Sequence, residues 1–216
     1  MQSSYLVLDD FFDRPDKARE TALGLDYPPA PDTVYYQGRN SRQSMAWPGH
    51  EKMFSNILGQ QLVPLGQSHG CARITLADDE RPSGRVHVDP GAAWAGIIGL
   101  SRDEDWQGGT DFFRHRPTGS DRAPINPREA QEIYGKATPR EALIDILDPA
   151  KGENMEEWEL TFTLPLKFNR CILFRPWFWH SSGDGFGQTL EDGRLVLLLF
   201  FKPGPDALNA DIVPQL

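Results

Sequence analysis

The stretch NRCILFRPWFWHSSGDGFGQTLEDGRLVLLLFF, residues 169–201, carries the pattern that sets the fold. An apolar run, CILF, stops at Arg175-Pro176; the chain then reaches His180, crosses a glycine-rich segment and closes on LVLLLFF. Short apolar runs bounded by Gly, Pro, Asn and Asp read as buried strands. Similar runs precede it: YLVLDD at 5–10, CARITL at 71–76, RVHVD at 85–89, AWAGIIGL at 93–100, TDFFRH at 110–115 and WELTFTL at 158–164. Short strands at this spacing, with turn residues between them, predict a mostly β chain, a double-sheet sandwich or jelly roll rather than a βαβ fold.

Helices are expected at the periphery. Asp13 is placed to cap a helix over 15–23 that ends at Gly24, and residues 50–61 read as a second. Between residues 118 and 157 the strand pattern stops, and two helix starts follow: Asn126-Pro127-Arg128-Glu129 and Thr138-Pro139-Arg140-Glu141. Each offers a capping side chain, Pro at the first helical position and Glu two residues later. This predicts an inserted helical hairpin, either a cover for the sheet or a lid over a site. A length of 216 residues fits a single domain over 1–216, with a jelly-roll core at 70–202 and the insert at 118–157.

The balance of 22 basic against 31 acidic residues, a net charge of −9, argues against a nucleic-acid partner, which needs a basic footprint. MQSSYLVLDDFF lacks the basic start of a signal peptide, and LVLLLFF is far shorter than the ~20 residues that span a bilayer, so no membrane association is expected. Two cysteines, Cys71 and Cys171, do not suggest a disulfide framework. A cytoplasmic location fits these features; the oligomeric state is not legible.

In RVHVD, His87 and Asp89 lie two positions apart, so on an extended strand they point the same way while Val86 and Val88 point the other. With His180 they form a two-histidine, one-carboxylate set that leaves positions open on an octahedral ion, which suits non-haem Fe(II). Zinc accepts the same ligands but usually settles at four-coordination. Arg194 opens the last apolar run, where a guanidinium needs an anion. A dicarboxylate chelating the metal through one end would present its far carboxylate to Arg194. The charges of Fe(II), Asp89, the dicarboxylate and Arg194 then cancel, as a buried site requires.

Here the sequence resembles the 2-oxoglutarate and Fe(II)-dependent oxygenase superfamily, in particular its prolyl-hydroxylase-like branch, over residues 71–202. The matching features are HVD at 87–89, GGTDFF at 108–113, ILFRP leading to His180, and DGRLVLLLFF at 192–201. The resemblance implies a double-stranded β-helix, iron ligands at His87, Asp89 and His180, and a 2-oxoglutarate carboxylate binder at Arg194. It further implies O2 as co-substrate and hydroxylation or desaturation of a small molecule or amino-acid side chain. Many members carry a hydroxyl residue two positions after the arginine; Val196 stands there, and Thr75 and Thr110 are the candidates to replace it. Related halogenases lack the metal carboxylate, whereas Asp89 is present. A cupin-like metal enzyme without 2-oxoglutarate, or a binding module, would use the same strands differently.

The remaining histidines read as bystanders. His50 follows Pro48-Gly49 and His69 sits between Ser68 and Gly70, so both are expected in solvent-facing loops. His115, between Arg114 and Arg116, reads as a solvated turn or a small basic cluster for an anionic substrate. Trp94, Trp177, Phe178 and Trp179 are expected mainly in the core, with some shaping a substrate pocket.

Overall fold

The computed structural model describes residues 4–30, 36–79, 86–148 and 154–205; Arg85 and residues 149–153 of the insert lie outside them. In chain order the elements are β1 (Tyr5–Leu8), α1 (Pro15–Leu23), β2 (Arg39–Ser44), α2 (His50–Leu58), β3 (Leu62–Pro64), β4 (Cys71–Thr75) and β5 (Trp94–Gly99). They continue with β6 (Gly109–His115), α3 (Pro127–Tyr134), α4 (Pro139–Ile146), β7 (Trp158–Pro165), β8 (Cys171–Phe174), β9 (His180–Ser182) and β10 (Arg194–Pro203).

The strands form two antiparallel sheets. The larger runs β1-β8-β5-β10-β4-β2, with β3 also paired to β10, and the smaller runs β7-β6-β9. Strand β10 shows why they face each other. Leu195, Leu197, Leu199 and Phe201 join a cluster with Ala22 of α1, Phe54 of α2, Trp94 and Ile98. Val196 and Leu198 face the other way, into a cluster with Ile97, Phe174 and, from the smaller sheet, Phe112 and Leu164. The helices therefore cover one face and the smaller sheet covers the other. Each fully buried leucine contributes about 1.5–3 kcal/mol through burial, so both faces hold the strand.

Three strands escaped the sequence pattern. β2 (RNSRQS) has no apolar alternation, and β3 and β9 have three residues each. Both expected N-terminal helices are present, but Asp13 does not cap the first: Arg14 occupies the N-cap without a side-chain bond, and Pro15 supplies the start. The two glycines of GGTDFF differ in role: Gly108 has a φ of +68° with open space around it, whereas a Cβ on Gly109 would collide with the Leu164 carbonyl, so only glycine allows β6 to lie this close to β7.

The hairpin caps form as the sequence predicts. Asn126 accepts from the Glu129 amide at 2.9 Å and Thr138 from the Glu141 amide at 3.2 Å. Leu143 of α4, with Tyr134, Ile146 and Leu147, packs on Phe113, Trp177 and Trp179 and on the backs of Val86 and Val88. The hairpin thus has its own core, on the far side of the segment that carries His87 and Asp89. Leu143→Ala should lower the unfolding free energy by about 2–3 kcal/mol, as expected for a buried leucine at the edge of a cluster. A urea midpoint indistinguishable from wild type would show the hairpin to be detached from the sheet.

Candidate functional site

His87 and His180 meet through backbone: the His87 amide donates to the His180 carbonyl at 2.9 Å, and the His180 amide returns a bond at 3.1 Å. The strand expected at 85–89 is reduced to this single bridge. The ladder stops because residues 175–178 turn, with the Phe178 amide donating to the Arg175 carbonyl at 3.2 Å. Asp89 then donates to Pro176 instead, at 3.0 Å. Alternation survives over the short stretch, with Val86 and Val88 in the hairpin core and His87 and Asp89 on the opposite side, lining a cleft.

Donor atoms of His87, Asp89 and His180 all lie within 4.8 Å of one another. His180 Nε2 is 3.3 Å from Asp89 Oδ2, and His87 Nε2 is 4.0 Å from Asp89 Oδ1. Two ligands at about 2.1 Å from one ion and at right angles sit about 3 Å apart, so a small rotation of His87 completes the set. The His180 side chain is 4% exposed and the His87 side chain 42%, which gives the cluster a buried wall and an open one. His180 Nδ1 donates to the Phe178 carbonyl at 2.8 Å. That bond fixes the ring and turns Nε2 toward Asp89. Phe174 packs edge-on against the ring at 4.9 Å. Burial pushes the Asp89 carboxyl up, but the His180 contact and the charges of His180, His87 and Arg73 outweigh it and hold it below the ordinary carboxylate value.

The cleft lies between the two sheets. Besides the three donors, Arg73, Thr110, Ser182 and Arg194 line it, together with Ile97, Phe174 and Leu198. Arg194, 2% exposed, is on the inner face of β10 opposite Thr75. Ser101 clamps its neighbours, donating to the Gly193 carbonyl at 2.7 Å and accepting from the Leu195 amide at 2.8 Å. The two threonines separate here: Thr75 is buried but does not line the cleft, whereas Thr110 does. The Thr110 hydroxyl is buried with no hydrogen-bond partner among the described residues. Arg73 and Ser182 were missed by sequence reasoning. The signal for Arg73 was the alternation in CARITL, which puts Cys71, Arg73 and Thr75 on one face and Ala72, Ile74 and Leu76 on the other. None of the described residues of the insert lines the cleft, so as it stands the hairpin buttresses the site rather than covering it.

The other histidines are not solvent-facing. His50 and His69 are buried, with their Nε2 atoms 2.7 Å apart, and their Nδ1 atoms are bonded to the carbonyls of Trp47 and Phe200. His115 is buried too, with Nδ1 bonded to Thr118 at 2.9 Å, so it is not in a solvated turn, and Arg114 pairs with Asp121 rather than joining it in a basic cluster. Trp94, Trp177 and Trp179 are in the core, as expected, and none lines the cleft. Burial lowers the pKa of both His69 and His115. Below the ordinary value of 6.5 the unfolded chain then binds protons that the folded chain resists. Their contribution to stability is present above that pH and is lost as pH falls through the lower folded value. The melting temperature should therefore fall between pH 7.5 and 5.5, and His69→Asn, which keeps a donor for the Phe200 carbonyl, should flatten that fall. An identical slope in the variant would remove His69 from the account.

The chain belongs to the family described as "Family of unknown function (DUF6445)", which matches residues 87–201, from the first cluster histidine to β10. No curated protein matches the sequence. The fold is similar to that of HygX from Streptomyces hygroscopicus, solved with nickel, 2-oxoglutarate and hygromycin B. The identity is 14% over 98% of this chain and 90% of HygX, with a TM-score of 0.50. An N-substituted L-amino acid dioxygenase from Burkholderia ambifaria AMMD aligns over 95% of this chain and 85% of its own, at 13% identity and a TM-score of 0.44. EctD from S. alaskensis with bound Fe aligns over 94% and 73%, at 15% identity and a TM-score of 0.45. The likeness to HygX holds at the level of fold. Among the described residues no helix is long and apolar enough to cross a membrane.

Proposed function

We propose that the protein is a 2-oxoglutarate-dependent oxygenase with a double-stranded β-helix (jelly-roll) core, acting on a small or amino-acid-like molecule at a single Fe(II). The observation that carries this reading is the convergence of His87, Asp89 and His180 on the wall of a cleft that also contains the buried Arg194. Two imidazoles and one carboxylate match the facial donor set of non-haem Fe(II), and the open side of the cluster leaves room for other ligands. The fold likeness to HygX, a protein solved with nickel and 2-oxoglutarate bound, supports the same reading.

When bound there, iron with 2-oxoglutarate and O2 would supply the oxidation of a substrate C–H bond, 2-oxoglutarate leaving as succinate and CO2. The chain's own contribution is positioning. His87, Asp89 and His180 hold the metal, and the Phe178 carbonyl keeps the His180 proton on Nδ1 so that Nε2 is the donor. Arg194 takes the distal carboxylate of 2-oxoglutarate, and the Thr110 hydroxyl gives it a second donor in place of the one that Val196 cannot supply. Phe112 and Phe174 keep water from the buried side of His180.

Two measurements test this. Anaerobic protein titrated with Fe(II) and then 2-oxoglutarate should develop a weak visible charge-transfer band. A cupin-like enzyme in which Arg194 binds a substrate anion would bind iron without that band. Arg194→Ala should weaken 2-oxoglutarate by about 10- to 150-fold, the equivalent of about 1.5–3 kcal/mol for a hydrogen bond to a charged group, and Thr110→Val by about fivefold. His180→Ala should lose tightly held iron, as read by metal analysis after reconstitution. Stoichiometric iron in that variant would contradict the donor set.

A further inference from the structure

The inner face of β4 presents a second guanidinium to the cleft. Arg73 lies opposite Val196 of β10, diagonal to the pair formed by Thr75 and Arg194, so the two arginines start from neighbouring positions on one sheet face. Their side chains are held apart. Arg194 is almost fully buried, whereas Arg73 is partly exposed and drawn toward β2: its Nε donates to Asn40 Oδ1 at 2.7 Å, and Tyr36 covers its flat face at 3.8 Å. With Nε engaged and one face stacked, the Nη groups are the donors left for the cleft that Arg73 lines. Among the described residues no carboxylate forms a salt bridge with it. Asp89, which attracts it across the cleft, is committed to the histidine cluster.

The charge balance then has a remainder. Among the described residues, Arg73, Asp89 and Arg194 are the charged side chains lining the cleft besides the two histidines. A divalent ion and a dianionic 2-oxoglutarate are balanced by Asp89 and Arg194, which leaves the positive charge of Arg73. Burial pushes its pKa down to about 10, so it still carries that charge at neutral pH. An uncompensated cation beside a metal centre is costly. One further negative charge closes the site; a phosphate dianion would overshoot it.

Resting on the iron and 2-oxoglutarate reading above, we propose that Arg73 is the substrate-binding residue for a carboxylate, and that the substrate is a small monocarboxylate. It would be held end-on by the Nη groups at the open side of the cleft while 2-oxoglutarate occupies the buried side at Arg194. The planar guanidinium suits a two-oxygen acceptor, and Tyr36 and Asn40 pre-set its plane.

The test uses protein loaded with Mn(II), whose unpaired electrons speed the relaxation of nearby protons, and saturated with 2-oxoglutarate. Acetate and the neutral acetamide are the probes. Wild-type protein should enhance relaxation of the acetate methyl protons and leave acetamide near its value in metal-free protein. Arg73→Gln should weaken acetate binding about tenfold, the loss of one charge-assisted contact, and Arg73→Lys should recover part of it. The same Arg73→Gln protein, loaded with Fe(II), should keep a 2-oxoglutarate affinity close to wild type. Equal enhancement of acetate and acetamide, or acetate binding insensitive to Arg73→Gln, would overturn the proposal. So would a large loss of 2-oxoglutarate in Arg73→Gln, because Arg73 would then be the co-substrate's arginine. Failure of 2-oxoglutarate to bind wild-type protein is seen in the titration before any probe is added, and sinks the reading of the site itself.

Discussion

A strand buried on both faces leaves no solvent into which a charged side chain can escape, and β10 imposes that constraint on the whole molecule. Its odd-numbered leucines are claimed by the helices and its even-numbered residues by the space between the sheets. Arg194 falls on the inner series, so its charge is delivered between the sheets whatever surrounds it. In the function proposed above an anion joins it there, in the cleft that Arg194 lines. The same alternation on β4 sends Arg73 to the same side. The chemistry of the cleft is thus a result of strand parity.

The donor cluster depends on a second, smaller device. His87 and His180 exchange both backbone bonds, and the turn at 175–178 ends the ladder straight after them. A longer ladder would have paired Asp89 with Phe178; the turn leaves the carboxylate beside the two imidazoles instead. Behind this segment Val86 and Val88 are gripped by the hairpin core, and Phe174 and Phe112 close the inner side of His180. The cluster is held in place by packing on the back of its carrying segment and on the His180 ring.

How much of this was legible in the sequence follows from what each feature depends on. Strands with an apolar face, such as CILF and LVLLLFF, declare themselves, as do helices with a capping residue and a proline, such as those starting at Asn126 and Thr138. β2 did not, because RNSRQS is a strand only through its pairing with β4. His50 and His69 looked like loop residues beside glycines, and their burial comes from each other and from Phe200, a partner 131 positions away from His69. The candidate metal donors were visible as a short motif plus one distant histidine. Thr110 was one of two equal candidates until position in the fold separated it from Thr75. Arg73 sat in plain view within CARITL, but a charge in a strand carries no meaning until the face it occupies is known.

The strand order has a consequence for how the protein is made. β10 lies between β4 and β5, yet among the described residues it is the last strand in chain order. At a translation rate of about 5–20 residues per second, roughly ten seconds separate the emergence of β5 from that of β10. During that interval the growing chain presents two bare sheet edges, one on each side of the gap that β10 will fill. Chaperones that shield strand edges would be needed most on this nascent chain. Closure by β10 also delivers Arg194, so the buried guanidinium of the cleft and the completed sheet arrive together, and an unfinished chain has neither.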